Sequence, residues 1–317
     1  RIACGLVIFS YLNAILTGLL TAAGNSRTPF IVNVAGLVFN VVLDPVLIFG
    51  IGPFPELGVS GAAAATVTAQ ALVSLLFFKA VLREKVLFPH LRLWVLFPVK
   101  VWREIVRIGV PSAVQNLIYA GISMILTRLI TGWGDLAVAA QRVGSQIESV
   151  SWMVGDGFSA AVNAFLGQNY GAKRYDRVRR GYFCAIAMTA AWGLCTTFLL
   201  IGMARPLFSI FLQEEEVMAL GVNYLRIVGL SQMFMMVEQT SIGAFSGLGR
   251  TLYPSIVSVT FTSARIPVAV LLSSVMGLSG IWWALSISSM VKGCILFVSF
   301  VVFLYVFLER KKDEKTV

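Results

Sequence analysis

The sequence predicts an all-α integral membrane protein made of two six-helix bundles related by a parallel repeat, with about three helices missing from the N-terminus. Three observations support this fold class. Hydrophobic residues make up 58% of the 317 residues, charged residues make up 13%, and the mean hydropathy is +0.85. Such a composition is typical of a chain whose main solvent is lipid. Apolar runs of about 20 residues recur along the chain, and one stretch occurs twice.

Nine apolar runs are long enough to cross ~30 Å of hydrocarbon as helices rising 1.5 Å per residue. Helices are expected because lipid leaves backbone amides no other partner, and the runs lack the alternation of barrel strands. The predicted spans are residues 2–23, 29–51, 59–82, 108–131, 137–166, 181–204, 217–246, 252–275 and 279–308.

The repeated stretch places glycines and prolines in the same order in both copies. The first copy runs from Gly18 to Gly61 and the second begins at Gly243, with Pro29 set on Pro254. An ordered repeat of this length indicates duplicated structural units. The aligned pairs are Gly24 with Gly249, Ile31 with Ile256 and, after a six-residue gap, Gly58 with Gly277 and Gly61 with Gly280.

The position of the repeat predicts which helices are missing. Its copies begin in spans one and seven, an even number of spans apart, so both enter the membrane in the same direction. The second copy has three spans ahead of it in its half and the first has none, so about three helices are expected to be absent before residue 1. The predicted divisions are residues 1–82 for the remainder of the N-terminal bundle, 83–107 for a linker, 108–308 for the C-terminal bundle and 309–317 for a basic tail.

Basic residues lie in alternate connections and in the tail, which the positive-inside rule assigns to the cytoplasm. This predicts a multi-pass protein of the plasma (inner) membrane with a cytoplasmic C-terminus. The net charge of +10 is explained by these loops, and no basic soluble face for nucleic acid is present. Residues 83–107 alternate apolar and basic side chains, which favours an amphipathic linker at the cytoplasmic surface over a regulatory lipid-binding segment. His90, in this linker, is interpreted as a solvated residue.

Asp44 lies in span two directly before Pro45. A charged side chain at bilayer depth costs roughly 2.5 to 3.5 kcal/mol, so its presence needs an explanation. Pro45 lacks an N–H and disfavours helical geometry at the preceding residue, which predicts a helix break. Asp44 could be a cation or proton site there, or it could cap backbone groups that the proline frees, and the first interpretation is favoured.

Span five is the most polar predicted helix. Its polar and small side chains recur at three- and four-residue steps, which places them on one face. That face could line a wet cavity or form a hydrogen-bonded seam between helices, and Arg142 could neutralise a nearby acid. The residues are Gln141, Ser145, Glu148, Trp152, Gly155, Ser159 and Asn163, with Asp156 beside them.

Spans seven and eight each carry a charge. Glu238 lies among methionines, which could form a deformable pocket for apolar cations but are more often core packing. Arg265 lies just before Pro267. Glu238 could couple to an ion or could pair with Arg265 or Arg226 across helices. No nucleotide-binding loop, nucleophile elbow or histidine cluster is present, so the chain is not expected to be an enzyme or to need a cofactor.

These motifs together resemble the multidrug and toxic compound extrusion (MATE) family of cation-coupled exporters, over essentially the whole chain. The resemblance implies that the nine spans are helices four to twelve of a twelve-helix fold. It also implies alternating access between two bundles. The motifs that carry it are Gly24-Asn25-Ser26-Arg27-Thr28-Pro29, Leu43-Asp44-Pro45, Gly58-Val59-Ser60-Gly61-Ala62-Ala63, Ala139-Ala140-Gln141, Gly167-Gln168-Asn169-Tyr170-Gly171-Ala172 and Gly243-Ala244-Phe245-Ser246-Gly247-Leu248-Gly249.

The ion site of the family does not carry over intact. One branch places its key aspartate in helix one, which the predicted truncation removes, and another uses acids in helices seven and ten. Span four, the counterpart of helix seven, has no acid, and Met235 stands where helix ten would carry an aspartate. Asp44 and Glu238 are therefore predicted as ion-linked or structurally coupled acids. The predicted cavity-lining residues are Gln141, Glu148, Asn163, Asp156 and Arg265.

The resemblance implies a monomeric secondary antiporter that exports small, often cationic, organic compounds in exchange for H+ or Na+, with membrane lipids and these substrates as its partners. Two alternatives remain open at this stage. A flippase for lipid-linked precursors would favour a cavity with several arginines, and Arg142 with Arg265 are too few to support it. A non-transporting remnant or scaffold is the other alternative.

Overall fold

The structure is a computed structural model that describes residues 6–52, 55–83, 98–212 and 214–313, with side chains described up to residue 306. All regular secondary structure within these ranges is helical. The chain divides into two compact units, Arg1–Leu96 and Phe97–Val317. The helices are α1 (Ile8–Ala22), α2 (Arg27–Phe49), α3 (Gly58–Arg83), α4 (Val99–Thr131), α5 (Asp135–Gly171), α6 (Tyr175–Gly202), α7 (Ala204–Ser209), α8 (Glu215–Gly229), α9 (Gln232–Gly247), α10 (Leu252–Ser263), α11 (Arg265–Met276) and α12 (Leu278–Asp313).

Each of the nine predicted spans falls on a described helix or on two consecutive helices, apart from residues 2–5 of span one, which lie outside the described residues. Six helical stretches in the described part of the chain are long and apolar enough to cross a membrane, and the bent pair α8–α9 makes up to seven. The other two predicted spans correspond to α1, which has 15 residues, and to α5, whose many polar side chains lower its hydropathy. The all-α membrane fold class is confirmed.

The first unit consists of α1, α2 and α3. Helix α3 packs along α2 and also contacts α1. A small apolar core forms where these helices meet, from Leu20, Val32, Val73 and Phe77. Beside this core, the side chain of Asn13 is hydrogen-bonded to α3, so a polar contact adds to the apolar ones.

The two copies of the repeat form the same backbone turn. Gly24 and Gly249 both have positive φ, at 90° and 69°, a conformation that glycine adopts without the steric cost of a Cβ. The residue after each glycine donates its amide proton across the turn at 2.9 Å, from Asn25 to the Leu20 carbonyl and from Arg250 to the Phe245 carbonyl.

A second pair of repeated glycines holds two helices close together. Gly61 in α3 faces the backbone of Leu47, and Gly280 in α12 faces the backbone of Leu272. A Cβ at either glycine would overlap the carbonyl group opposite. Leu47 and Leu272 are themselves aligned by the repeat. The same helix-packing contact therefore occurs once in each unit.

Helix α9 lies at the centre of the second unit, where it contacts α5, α6 and α12. The C-terminal end of α9 packs into an aromatic and aliphatic core that includes Phe245, Tyr182 and Phe300. A second apolar core lies along α8 and includes Trp282, Tyr224 and residues of the short helix α7. The helix that carries Glu238 is therefore enclosed by protein on several sides.

Predicted span seven is two helices, α8 and α9, that meet at a bend of 50°. Backbone carbonyls at the bend lose helical partners and accept hydrogen bonds from side chains of neighbouring helices instead. The hydroxyl of Thr197 donates to the Gly229 carbonyl at 2.9 Å, and that of Ser286 donates to the Ile227 carbonyl at 3.0 Å. Such replacement of backbone partners is how a membrane helix tolerates a break.

The predicted helix break at Asp44 and Pro45 is wrong. Helix α2 runs without interruption from Arg27 to Phe49 and contains Pro45. Pro45 lies near the C-terminal end of α2, and its missing N–H leaves the Val41 carbonyl without a helical donor, a loss that the helix sustains. A break does occur in predicted span eight, between Ser263 and Arg265, where Pro267 follows directly in α11.

Helix α4 begins at Val99 and continues to Thr131, so residues 99–107 of the predicted linker are the first turns of a spanning helix. Arg83 ends α3 and Pro98 directly precedes α4. Residues 84–97, with His90, and the basic tail beyond residue 313 lie outside the described residues.

Candidate functional site

Glu238 and Lys292 form a buried ion pair in the second unit. The Lys292 ammonium lies 2.7 Å from the Glu238 carboxylate, joining α9 to α12. Glu238 is only 6% exposed and Lys292 only 5%. The expectation that Glu238 pairs with Arg265 or Arg226 is therefore wrong, because α12 supplies a closer cation. Arg226 is exposed at the last turn of α8.

Glu148 is the second acid at this depth, and its partners are neutral. The Tyr224 hydroxyl donates to one carboxylate oxygen at 2.9 Å, and the Gln232 amide donates to the other at 3.1 Å. Tyr224 belongs to α8 and Gln232 begins α9, so Glu148 joins the two halves of the bent pair. Gln232 is fully buried, and its own side-chain oxygen has no hydrogen-bond partner among the described residues.

Arg265 is buried at the break between α10 and α11. Its guanidinium donates to the hydroxyls of Ser288 at 3.1 Å and Ser289 at 3.0 Å, both on α12. It also lies over the ring of Tyr119 from α4, 6.0 Å from the centroid. Within the part of the chain that the structure describes, no carboxylate forms an ion pair with Arg265.

Gln141 borders a small space in the second unit, and its role in a transport cavity stays a prediction. This space of about 140 Å³ is bounded by α4 and α5 and also includes Arg142 and Ser145. Gln141 accepts a hydrogen bond from the indole N–H of Trp282 at 3.1 Å. Arg142 forms no ion pair in the described structure, so the expectation that it neutralises a nearby acid is not met.

The remaining polar residues of α5 lie further along the helix. Asp156 is exposed and accepts a hydrogen bond from the Gln239 amide at 2.8 Å. Asn163 is also exposed, and its backbone lies against Gly247 of α9. The face of α5 is thus partly a seam bonded to α8 and α9 and partly open, which combines the two alternatives left by the sequence.

Asp44 is half-buried in the first unit. Its carboxylate accepts a hydrogen bond from the Asn40 amide, one turn earlier in α2, at 3.3 Å. Helix α2 continues through this position, and the backbone group that Pro45 frees, the Val41 carbonyl, is an acceptor that a carboxylate cannot cap. Its role in ion coupling stays a prediction.

Sequence reasoning missed three residues that complete these contacts: Lys292, Tyr224 and Trp282. A signal was available for Lys292, because it is the only charge in the apolar stretch Leu278–Val306. Tyr224 and Trp282 carried no such signal, since an aromatic residue in a spanning helix is ordinary.

The MatE family model matches residues 111–271, half of the chain. The chain belongs to the MATE family. The probable multidrug resistance protein NorM of Thermotoga maritima is 31% identical over 283 residues, which are 85% of this chain and 58% of that protein. The FAD transporter of Shewanella oneidensis is 26% identical over 280 residues, which are 86% of this chain and 61% of that protein. The chain thus spans about three fifths of the length of these curated relatives.

MATE transporter structures have the same fold. A crystal structure of MATE in the bent conformation matches with a TM-score of 0.86 at 20% identity, covering 98% of this chain and 69% of that one. An outward-facing multidrug resistance MATE transporter matches with a TM-score of 0.85 at 21% identity, covering 94% and 66%. The fold prediction and the family resemblance are both confirmed, and the MATE relatives are transporters rather than enzymes.

Proposed function

We propose that this MATE protein is a secondary antiporter that exports small organic, often cationic, compounds in exchange for H+ or Na+ by alternating access. The observation that carries the proposal is the set of charged side chains held between the helices of the second unit: Glu148, Glu238, Arg265 and Lys292. Charges at that depth are costly and mark ion or substrate pathways in membrane proteins. The multidrug resistance names of relatives support the same reading.

The proposal places the protein in the plasma (inner) membrane as a monomer, with its C-terminus in the cytoplasm. An ion gradient is a sufficient energy source, since one charge moving through 100 mV releases about 2.3 kcal/mol. The direct test reconstitutes the natural protein in proteoliposomes loaded with a fluorescent organic cation. Efflux that depends on an imposed proton or sodium gradient is expected, and efflux unaffected by both gradients would contradict the proposal.

A second candidate function is transport of an organic anion. Arg265 is a buried cation whose described partners are two serine hydroxyls and a tyrosine ring, so it could bind an anionic group. One relative is named a FAD transporter. Uptake of FAD and of an organic cation by the same proteoliposomes separates the two functions.

Asp44→Asn is expected to reduce gradient-driven efflux about tenfold or more while leaving membrane insertion unchanged. The reason is that the amide keeps the size of the side chain but cannot exchange a proton or neutralise a cation. Asp135→Asn, at the exposed start of α5, is the matched control and should transport like the wild type. Full gradient-driven efflux by Asp44→Asn in proteoliposomes would remove Asp44 from the ion site.

A further inference from the structure

The second unit holds two acids at membrane depth, Glu148 and Glu238, and their partners differ in charge. Glu238 is held by the Lys292 ammonium at 2.7 Å, with both side chains buried. Glu148 is held by a phenol and an amide. The free-energy cost of protonating the two acids is therefore expected to differ. Neutralising Glu238 would leave Lys292 buried without its partner, which is strongly unfavourable, whereas neutralising Glu148 strands no cation bonded to it.

The repeat supports a structural role for the Glu238 position. The alignment that pairs Pro29 with Pro254 also pairs Asn13 with Glu238, and beyond the gap it pairs Gln70 with Ser289 and Val73 with Lys292. In the first unit, Asn13 forms hydrogen bonds to Gln70, at 2.8 Å between side chains, and to Ser74 at 2.8 Å. The helices equivalent to α9 and α12 are thus also joined by a buried polar contact, which is neutral and involves neighbours of Val73 and not Val73 itself. A polar contact that joins the same two helices in both units supports a structural role for Glu238 and Lys292.

Glu148 has the geometry of a site that can change its proton. Each carboxylate oxygen accepts one hydrogen bond, and one donor is the amide of Gln232. When Glu148 carries a proton it becomes a donor, and the Gln232 amide can invert to present its oxygen. That oxygen has no partner in the structure described, and a buried acceptor without a partner costs about 1 to 3 kcal/mol. Inversion would give it one, in exchange for the hydrogen bonds that the Gln232 amide N–H groups now donate to Glu148 and, at 3.4 Å, to the Val228 carbonyl.

The surroundings of Glu148 suit a proton better than a metal cation. Its carboxylate oxygens accept hydrogen bonds from an O–H and an N–H donor, from α8 and α9, so a metal cation could bind there only if both donors turned away. The charged and titratable groups that face it are Tyr224 from α8 and Arg265 from α11, with Tyr119 of α4 next to Tyr224. The Arg265 guanidinium is held by serine hydroxyls, so it does not form an ion pair with Glu148.

We propose that Glu148 binds the coupling proton in this unit and that Gln232 inverts its amide when it does so. Tyr224 and Gln232 lie on opposite sides of the 50° bend in α8–α9. Protonation therefore changes the hydrogen bonds by which Glu148 connects α8 to α9 across this bend. In this way proton binding is coupled to the angle between the two helices. The Glu238–Lys292 pair keeps its charges and holds α9 against α12. This inference rests on the proposed antiport.

The first test is infrared difference spectroscopy of the purified natural protein between acidic and alkaline pH, which needs no transport. The wild type should show the C=O band of a protonated carboxyl that Glu148→Gln loses. Glu216→Gln, an exposed acid of α8, should keep it. Tyr224→Phe removes a hydrogen bond to the charged form and should move the midpoint of the band upward by about one pH unit. A band unchanged in Glu148→Gln overturns the proposal, as does an unmoved midpoint in Tyr224→Phe.

The second test separates this inference from the proposed function. In proteoliposomes, Glu148→Gln should lose the response of efflux to a pH gradient, at least about tenfold, but should still exchange substrate between the two sides. A wild type without any gradient-driven efflux contradicts the antiport itself, and the infrared band still tests the proton site. If a sodium gradient drives the wild type and Glu148→Gln loses that response, Glu148 binds Na+ and the proton assignment is wrong.

Discussion

Lys292→Met is expected to lower the free energy of unfolding by about 3 to 5 kcal/mol, because it leaves the Glu238 carboxylate buried without its cation. The paired side chains are only 6% and 8% exposed, so water cannot replace the lost partner. Thermal unfolding in detergent, followed by size-exclusion chromatography, measures the loss. The double variant Glu238→Met with Lys292→Met removes both charges and should recover most of it, since apolar side chains of similar volume often replace a buried pair without cost.

The matched control is the ion pair between Arg205 and Glu215, whose nitrogen and oxygen lie 2.8 Å apart but whose side chains are 67% and 75% exposed. Arg205→Met should cost about 0.5 kcal/mol or less, because solvent screens such a pair. Equal losses in the free energy of unfolding for Arg205→Met and Lys292→Met would show that burial does not determine how much an ion pair stabilises the protein. A double variant as unstable as Lys292→Met would show that Glu238 is not what the lysine stabilises.

Gly280→Val is expected to cost about 3 kcal/mol or to prevent stable insertion, because its side chain would occupy the space of the Leu272 backbone. Overpacking of side chain against side chain costs roughly 1 to 3 kcal/mol, and a backbone carbonyl yields less readily than a side chain. Gly61→Val should behave in the same way in the first unit, where the Leu47 backbone lies opposite. Expression yield and thermal unfolding in detergent report the effect.

Gly157→Val in α5 is the control, since a Cβ at Gly157 meets no other atom within 4 Å. Its backbone is helical, as those of Gly61 and Gly280 are, so the intrinsic cost of valine in a helix is the same. Stability of Gly280→Val close to that of Gly157→Val would contradict the close helix contact. A loss in only one of Gly61→Val and Gly280→Val would show that the repeat does not preserve the contact in both units.

Spans and the repeat were readable from the sequence because hydropathy and turn-forming residues act locally. Gly24 and Gly249 terminate helices by a conformation that their own residue type permits, and their order survives in the sequence. The prediction of helix breaks was wrong where residue type alone does not decide whether a helix continues. Pro45 did not break α2, although its missing N–H leaves the Val41 carbonyl without a helical donor, and the bend in span seven depends on carbonyls that side chains of other helices satisfy.

The sequence by itself determined the membrane class, the placement of nine helical spans and the parallel repeat, because these follow from composition and local residue order. Only the tertiary structure decided which charges meet. Glu238 and Lys292 are 54 positions apart, and Glu148 and Tyr224 are 76 apart. Their pairing depends on the rotation and crossing of separate helices. Helix periodicity gives the face of each helix but not the neighbour that it meets, and that neighbour decides whether an acid is paired with a cation or left open to a proton.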